Sequence, residues 1–327
     1  MSEFHVEVVT IGKIEKHPNA DSLSVTLVKN GYPVIIRTGE FQEGDKAVYV
    51  PIESMVPVTD PRFSFLALKD KPRERERVRA KKLRGIFSMG LLTKADPSWN
   101  FAQNVQTELN ILKYEPPEPL SMGGENEKDP GYLPVYTDIE GLRKFPHLLK
   151  EGEDVVITEK IHGCNGRYLY QDDRLWVGSH TNIKREDPNN LWWKVAFKEA
   201  LQEKLRNFPY IAIYGECYGQ VQDLKYGSKP GELKLALFDS LDTRTRHYHD
   251  EYEFVELCKA LGLPRVPMLH HGPWSSDLKK LAEGNSTLAA HVREGFVVRP
   301  VKERFEPELG GRLILKMLGE GYLLRKD

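Results

Sequence analysis

The sequence predicts an α+β protein of two domains, the first of them a small β-barrel. The chain has 327 residues, which is more than one ordinary domain holds. Its N-terminal third contains short apolar runs separated by turn residues, whereas the rest mixes strand-like and helical runs. A stretch rich in proline, glycine and charge lies between these parts. We therefore expect two compact domains joined by a linker.

Composition excludes several classes of protein. Lysine and arginine number 47 against 48 aspartate and glutamate, so any basic surface must be local. No apolar run approaches the roughly 18 residues that span a bilayer, and the N-terminus does not look like a signal peptide. We expect a soluble, cytoplasmic protein without a membrane partner. Cys164, Cys217 and Cys258 lack metal-ligand spacing, which predicts reduced, mostly buried thiols.

Four strand-like runs make up the expected barrel. They are EFHVEVVTIGKIE, LSVTLVK, YPVIIRTG and KAVYVPI, with the turn pair Asn30 and Gly31 between the second and third. The segment HPNADSL (His17 to Leu23), followed by EGDKAVYVP, resembles the tRNA-binding type of OB-fold. Such folds bind nucleic acids or oligosaccharides, although the same letters can reflect turn chemistry alone. We predict an OB-fold domain over residues 1–112.

The most basic stretch of the chain is KDKPRERERVRAKKLRG, Lys69 to Gly85. Clustered cations of this kind can neutralise several phosphates of a nucleic acid. The alternative is a solvated loop in which Glu74 and Glu76 cancel part of the charge. The candidate RNA-binding residues are Arg75, Arg77, Arg79, Lys81, Lys82 and Arg84.

The expected linker covers residues 113–131, KYEPPEPLSMGGENEKDPG, and the second domain covers residues 132–327. Within that domain, NNLWWKVAFKEAL (Asn189 to Leu201) has the period of an amphipathic helix whose tryptophans lie in the core. The adjacent His270 and His271 are interpreted as surface residues rather than metal ligands.

Polar or aromatic residues end or interrupt apolar runs at several points of the second domain. The first is VVITEKIHGCNGRYLY, in which a lysine closes a β-branched run and a histidine and two glycines follow. Each such residue alone has an ordinary structural explanation, and only their order is informative. In chain order they are Lys160, His162, Gly163, His180, Glu216, Phe238, Glu294 and Lys316.

This order resembles that of the covalent nucleotidyltransferases, which comprise ATP-dependent DNA and RNA ligases and mRNA capping enzymes. The general motif is Lys-x-Asp-Gly, whereas EKIHGCN resembles the RNA ligase 2 class. An OB-fold placed first, with KKLRGIFSMGLL and KYEPP, makes nearly the whole chain similar to the Deinococcus-type RNA ligases. The resemblance implies an antiparallel-sheet nucleotidyltransferase domain, ATP-grasp-like, after the OB-fold. Two residues depart from the family pattern: His180 replaces an arginine and Ile314 replaces a lysine.

The resemblance also implies residue roles. Lys160 would attack the α-phosphate of ATP and become lysyl-AMP, for which it must be neutral, so we expect the site to lower its pKa. Glu294 and Glu216 would hold Mg²⁺ or Mn²⁺. Phe238 would stack on adenine, Lys316 would neutralise phosphate, and His162 would orient a neighbour. The implied ATP-binding residues are Glu159, His162, Gly163, Asn165, His180, Glu216, Phe238 and Lys316.

The expected function is ATP-dependent RNA ligation by a monomer. Its substrates would be RNA ends with a 3′-hydroxyl and a 5′-phosphate, in nicked duplexes or RNA/DNA hybrids, during RNA repair. Two alternatives remain open. A capping-like guanylyltransferase would use the same lysine chemistry, but usually with Lys-x-Asp-Gly and a C-terminal OB-fold. A non-catalytic RNA-binding protein on a nucleotidyltransferase scaffold is the other, and the departures at His180 and Ile314 leave room for it.

Overall fold

The computed structural model describes residues 4–29, 31–68, 73–114 and 124–325. The chain divides into two compact units. The first consists of Met1–Pro116, Leu142–Pro146 and Leu323–Lys326. The second consists of Pro117–Gly141, His147–Tyr322 and Asp327.

The described part of the first unit is built almost entirely from short antiparallel strands. They form three three-stranded sheets, ordered β1-β5-β10, β2-β3-β4 and β11-β6-β7, and the two-stranded sheet β8-β9. A 3₁₀ helix covers Ser64–Leu66. The strands are β1 (Glu7–Thr10), β2 (Ile14–Lys16), β3 (Leu23–Val28), β4 (Tyr32–Arg37), β5 (Lys46–Val50), β6 (Ser54–Pro57), β7 (Arg75–Arg77), β8 (Lys81–Leu83), β9 (Ile86–Ser88), β10 (Leu91–Lys94) and β11 (Leu112–Lys113).

Alternation of apolar residues explains these strands. All four predicted runs contain a strand, and in β3 the buried and less buried positions alternate along most of its length. Val34 and Ile36 of β4 point into one apolar cluster, which also contains Tyr49 of β5. Asn30 of the predicted turn pair lies outside the described residues.

The second unit contains two large sheets. One has seven strands, ordered β12-β17-β16-β15-β18-β19-β20, and the other has five, ordered β13-β25-β22-β14-β21; β23 and β24 form a separate two-stranded sheet. Every ladder of the two sheets is antiparallel except β13 with β25. The strands are β12 (Asn126–Glu127), β13 (Glu140–Gly141), β14 (Asp154–Lys160), β15 (Cys164–Gln171), β16 (Arg174–Gly178), β17 (Ile183–Lys184), β18 (Ile211–Gly219), β19 (Leu233–Asp242), β20 (His247–Tyr248), β21 (Met268–Pro273), β22 (Gly295–Pro300), β23 (Phe305–Glu306), β24 (Gly311–Arg312) and β25 (Leu315–Leu318).

Part of the expected linker belongs to this sheet. Asn126–Glu127 pair with Ile183–Lys184 as the edge strand β12. The polar composition that suggested a linker is equally compatible with an edge strand, since such a strand contributes mainly its backbone to the pairing.

In the described part of the second unit, three α-helices pack against the seven-stranded sheet: α1 (Leu191–Lys198), α2 (Leu201–Arg206) and α3 (Glu251–Leu261). A short helix, α4 (Glu320–Leu323), covers the point at which the chain passes from the second unit to the first. Two 3₁₀ helices cover Ser276–Ala282 and Pro307–Leu309. The predicted amphipathic helix is present, with Trp192 and Trp193 buried as expected. It is interrupted at Ala200, whose φ of 51° is left-handed, so the chain bends there into α2.

The seven-stranded sheet is buried on both faces. On one face Tyr168 packs in a cluster with residues of α1, α2 and α3. The next residue, Leu169, points to the opposite face, where Ile314 and Val297 join the cluster. The two sheets therefore face each other across an apolar layer that leads to the candidate site.

All three cysteines are free, and Cys217 and Cys258 are buried while Cys164 is half-buried, as predicted. His271 is exposed, whereas His270 is half-buried and its Nε2 lies 3.3 Å from the carbonyl oxygen of Pro273. Within the described ranges, no helix is long and apolar enough to cross a membrane.

Candidate active site

A cavity of about 260 Å³ opens between the two sheets of the second unit. Strands of both sheets and the segment before β13 supply its walls. The lining residues are Tyr136, Thr137, Asp138, Ile139, Val156, Thr158, Glu159, Lys160, Ile161, Asn165, His180, Glu216, Phe238, Val266, Val297, Arg299, Ile314 and Lys316.

Lys160 lies at the end of β14 and points into this cavity. Its Nζ is 2.7 Å from Oε1 of Glu294. The two residues meet because β14 pairs with β22, which places Lys160 opposite Gly295 and next to Glu294. The Lys160 side chain keeps 27% of its surface exposed, against 7% for Glu294. The lysine that the motif singled out is thus paired, yet reachable from the cavity.

Glu216 approaches the same lysine from the seven-stranded sheet. It lies on β18 directly opposite Asn165 of β15, and both line the cavity. Burial raises the pKa of Glu216 to about 7, and attraction by Lys160 only partly opposes this. The pKa of Glu294 is instead lowered, because attraction by Lys160 and His162 outweighs its burial. One carboxylate is therefore readily protonated and the other stays ionised.

The expectation that the site lowers the pKa of Lys160 is wrong for the isolated chain. Burial does lower the pKa of Lys160, but attraction by Glu294 and Glu216 outweighs burial, and the net shift is upward. The pKa of Lys316 is lowered, first by burial and then by repulsion from Lys160. The tertiary fold brings two carboxylates beside Lys160, and their charge favours the ammonium form.

His162 is held by a set of contacts that the sequence did not reveal. Its Nε2 lies 2.7 Å from Oδ1 of Asp223, and its Nδ1 lies 3.0 Å from the Tyr322 hydroxyl. The same Nδ1 is 3.6 Å from Oε2 of Glu294. The Tyr226 hydroxyl accepts the backbone N–H of His162 at 2.6 Å. His162 does not line the cavity, and its position beside Glu294 suits the orienting role predicted for it.

Gly163 is required where the chain passes the Glu216 strand. A Cβ atom at this position would collide with the carbonyl oxygen of Cys217. The backbone N–H of Gly163 also hydrogen-bonds the Glu216 carboxylate, and its carbonyl accepts a bond of 2.7 Å from Gln222. The glycine of the motif thus permits a close backbone approach.

Glu159 lines the cavity, but its carboxylate is occupied elsewhere. The backbone N–H and the hydroxyl of Thr287 donate to Oε2 at 2.8 and 2.6 Å, and the Ser286 hydroxyl donates to Oε1. Arg293 Nε lies 3.7 Å from the same carboxylate. Because the side chain is 1% exposed and fully bonded, an ATP contact at this position would have to come from the backbone.

The apolar end of the cavity contains Phe238. The Tyr136 ring meets it edge-on, with the ring centroids 5.0 Å apart. The Tyr136 hydroxyl donates to Asp239 at 2.7 Å, and Arg312 bonds the same carboxylate at 2.5 Å. A buried ion pair therefore fixes the ring that supports Phe238.

The two residues that depart from the family pattern also line the cavity. His180 is exposed, and its Nε2 lies 3.5 Å from Oδ1 of Asp138. Ile314 is 4% exposed and packs with the apolar cluster between the sheets. Ile314 therefore contributes packing where a lysine would contribute charge.

Several lining residues escaped the sequence analysis. The segment from Tyr136 to Ile139 has no motif and reaches the cavity only through the tertiary fold. Arg299 could have been found, since it lies in REGFVVRP on the alternation that also contains Val297. Val266 precedes β21 and gives no signal in the sequence.

A divalent cation fits the donor set beside Lys160 only in part. Glu216 and Glu294 supply two carboxylates, and Oε2 of Glu294 and Oδ1 of Asn165 have no hydrogen-bond partner in the described parts of the chain. No cluster of three or more His, Cys, Asp or Glu side chains suited to a metal occurs there. The site thus suits an ion that takes most of its ligands from phosphate and water, as Mg²⁺ does.

The predicted RNA-binding residues fall into two groups. Arg75 donates to the Asn110 side chain at 2.7 Å, and Arg77 pairs with Glu53 at 2.6 Å and stacks on Tyr114. These two arginines have structural partners. Arg79, Lys81, Lys82 and Arg84 are exposed. Residues 69–72 of the basic stretch lie outside the described residues.

Comparison with known families decides the identity of the second unit. A family model described as RNA ligase matches residues 153–318, just over half of the chain. The chain belongs to the RNA ligase family. A second model, for an OB-fold domain, matches residues 5–95, which confirms the fold predicted for the N-terminal part. RNA is the substrate class of this family, and the ligase is an enzyme that joins RNA.

Solved structures of the Naegleria gruberi RNA ligase are similar to this ligase over almost its full length. The structure with PPi is 25% identical, covers 98% of both chains and has a TM-score of 0.84. A lysine-to-methionine mutant with AMP and Mn is also 25% identical, with 97% coverage of both chains and a TM-score of 0.84. An arginine-to-alanine mutant with ATP and Mn is 25% identical, with 98% coverage of both chains and a TM-score of 0.85. No curated protein sequence matches the ligase.

Proposed function

We propose that the chain is an ATP-dependent RNA ligase in which Lys160 carries the covalent AMP. The observation that carries this proposal is the position of the lysine. Its Nζ faces a cavity that also contains Phe238, while Glu294 holds it at 2.7 Å. The ATP and AMP found with the similar Naegleria gruberi enzyme support the same nucleotide here.

In the first step the neutral amine of Lys160 attacks the α-phosphorus of ATP. An N–P bond forms, the P–O bond to pyrophosphate breaks, and the amine loses a proton. Because Glu294 and Glu216 favour the charged amine, positive charge must enter the site before Lys160 reacts. Lys316 lines the same cavity, and repulsion between its ammonium and that of Lys160 already opposes the two carboxylates in part.

The chain can bind the rest of the nucleotide with residues at both ends of the cavity. Phe238 offers an aromatic face for adenine, and Tyr136 holds that ring in place. Asn165 and His180 lie where phosphates would pass, and Lys316 would neutralise the α-phosphate as charge develops. We propose the backbone of Glu159, rather than its carboxylate, as a further contact.

Glu216 and Glu294 would hold Mg²⁺ or Mn²⁺ beside Lys160. Such an ion, when bound, withdraws electrons from the phosphate and offsets the carboxylate charge on the lysine. His162 positions Glu294 from the side away from the cavity, with Asp223 and Tyr322 fixing its ring.

We propose that the AMP then passes to an RNA 5′-phosphate, after which a 3′-hydroxyl attacks the activated end. A phosphodiester forms and AMP leaves. The expected substrates are nicked RNA duplexes or RNA/DNA hybrids in RNA repair, which the family membership supports only as far as RNA. We further propose that residues 1–112 hold the RNA, that residues 132–327 form the catalytic domain, to whose sheet the segment 113–131 adds the edge strand β12, and that the enzyme is a cytoplasmic monomer.

The first experiment measures covalent labelling. The chain is incubated with ATP labelled at the α-phosphate and Mg²⁺ or Mn²⁺, then denatured and separated by electrophoresis. We expect label on the native chain and none on Lys160→Ala. Lys150→Ala, which removes an exposed lysine of the same unit, should label like the native chain.

Two further measurements complete the test. The chain is incubated with labelled GTP in place of ATP, and the release of labelled pyrophosphate from the nucleotide is measured. Label from GTP in preference to ATP would indicate a guanylyltransferase instead. If the native chain retains no label with either metal and either nucleotide, the proposal is wrong and an RNA-binding protein without catalysis takes its place.

A further inference from the structure

The hairpin formed by β8 and β9 ends in a turn with an unusual first residue. Leu83 pairs with Ile86, so the loop consists of Arg84 and Gly85 alone. Their φ angles are 43° and 91°, and two positive values are typical of a type I′ turn. Asparagine, aspartate or glycine usually occupies the first position, because these residues tolerate a positive φ better than others do. The turn therefore has an arginine at a position where asparagine, aspartate or glycine would be less strained.

The N-terminal segment HPNADSL clamps this turn. His17 is 1% exposed, and its Nδ1 accepts the backbone N–H of Asn19 at 3.1 Å. Its Nε2–H is then the donor to the carbonyl oxygen of Leu83, 3.1 Å away. The Asn19 side chain donates to the carbonyl of Arg84 at 2.9 Å, and Arg84 donates back to the carbonyl of Asn19 at 3.2 Å. The segment that resembled a nucleic-acid-binding turn thus holds the tip of a basic hairpin.

The clamped hairpin presents cations without carboxylate partners. Lys81, Lys82 and Arg84 are all exposed, and none of them forms a salt bridge in the described parts of the chain. Arg75 and Arg77 of the same basic stretch differ, since Asn110 and Glu53 bind them. Lys81 and Lys82 are neighbours on a strand, so they project to opposite faces. The charge therefore lines both sides of one exposed strand and its tip.

We propose that β8 and the Arg84 tip bind the phosphate backbone of the RNA substrate, with His17 and Asn19 as positioning residues. Strained backbone conformations persist only where the surrounding structure holds them, and the hydrogen bonds of His17 and Asn19 hold the turn of Arg84. Three exposed cations without carboxylate partners among the described residues, on both sides of one strand and at its tip, can neutralise phosphates of a nucleic acid. This inference rests on the proposed ligase function and specifies where the RNA is held. The simpler alternative is that lysines on an edge strand only discourage strand pairing between molecules.

Arg84→Asn separates the two explanations, because asparagine suits the turn but carries no charge. The melting temperature should stay the same or rise. Anisotropy of a labelled nicked RNA duplex, measured in chelator without ATP from 50 to 200 mM KCl, should show affinity weakened roughly three- to tenfold. The slope of log affinity against log salt should fall by about one, and by about two for Lys81→Ser combined with Lys82→Ser.

Lys94→Ser is the matched control, since Lys94 is an exposed, unpaired lysine on β10 of the same unit. It should change neither affinity nor slope. Asn19→Ala should weaken RNA binding in the native chain but add little to Arg84→Asn, because a positioning residue acts through the residue it holds.

Labelling of Lys160 is measured on every variant and should match the native chain. No label on the native chain would overturn the ligase function itself. Normal label with native affinity and slope in Arg84→Asn and in the double lysine variant would overturn this inference alone. So would equal weakening by Lys94→Ser, since the effect would then not belong to the hairpin.

Discussion

Four ionisable side chains lie together in one half-buried site: Lys160, Lys316, Glu216 and Glu294. Charges in such places persist only when they compensate one another. The structure shows this in the opposite shifts of the two carboxylates, with the pKa of Glu216 raised to about 7 and that of Glu294 lowered. The reactivity of Lys160 therefore depends on the charge state of its neighbours.

The rate of Lys160 adenylylation should rise with pH between about 6 and 9. Lys160 attacks only after losing a proton that its raised pKa retains, so the neutral fraction grows by up to about tenfold per pH unit. Glu216 becomes charged above its pKa of about 7 and then favours the ammonium form of Lys160, which makes the rise less steep unless a bound cation offsets that charge. Single-turnover labelling at saturating ATP and fixed metal measures it. A flat or falling profile would contradict the assigned nucleophile.

Glu159→Ala should destabilise the fold by about 1–3 kcal/mol, the cost of leaving buried donors unpaired. Ser286 and Thr287 would lose their acceptor. Denaturant unfolding of the native chain and the variant measures the loss. Glu151→Ala, which removes an exposed carboxylate, should have little effect. Similar unfolding curves for Glu159→Ala and Glu151→Ala would show that the hydrogen bonds from Ser286 and Thr287 to Glu159 do not stabilise the fold.

At the scale of elements, the site depends on the turn that joins β14 to β15. This turn carries Lys160 at its start and brings Gly163 against the strand of Glu216. The pairing of β14 with β22 then places Glu294 beside Lys160. Side chains of β14, of β18 and of the residue that precedes β22 therefore come together at the end of β14. A lysine at this strand end can reach both carboxylates.

Gly163→Ala should reduce adenylylation at least tenfold while the chain stays folded. The new Cβ would collide with the backbone of Cys217, and the turn would have to move away from Glu216. Labelling rate and circular dichroism measure the two effects. Gly311→Ala adds a methyl group in the same unit, where its nearest neighbour is at an ordinary contact distance of 4.0 Å. Comparable rates for these two variants would argue against the close approach as a requirement.

At the scale of the whole molecule, we propose that nucleotide and RNA are bound by different units. Every residue that lines the cavity belongs to the second unit, whereas the basic hairpin belongs to the first. A net charge of -1 is compatible with RNA binding, because Lys81, Lys82 and Arg84 cluster on one hairpin and form no salt bridge within the described residues.

Removal of residues 1–112 should spare labelling of Lys160 and weaken the sealing of nicked RNA by an order of magnitude or more. The truncated chain should keep a cooperative melting transition, which calorimetry checks before the comparison. Equal sealing by the truncated and the full chain would refute this division of labour.

The sequence alone was enough to predict the strands of the N-terminal fold and the family, because these depend on alternation and on residue types in a fixed order, and the same order singled out Lys160 as the proposed nucleophile. It could not determine that the Glu159 carboxylate is taken by Thr287, that Tyr136 reaches Phe238, or that two carboxylates raise the pKa of Lys160. It also grouped Arg75 with Arg84, although only the latter lacks a side-chain partner. These outcomes join residues as many as 134 positions apart, and only strand register in the folded chain decides which side chains meet there.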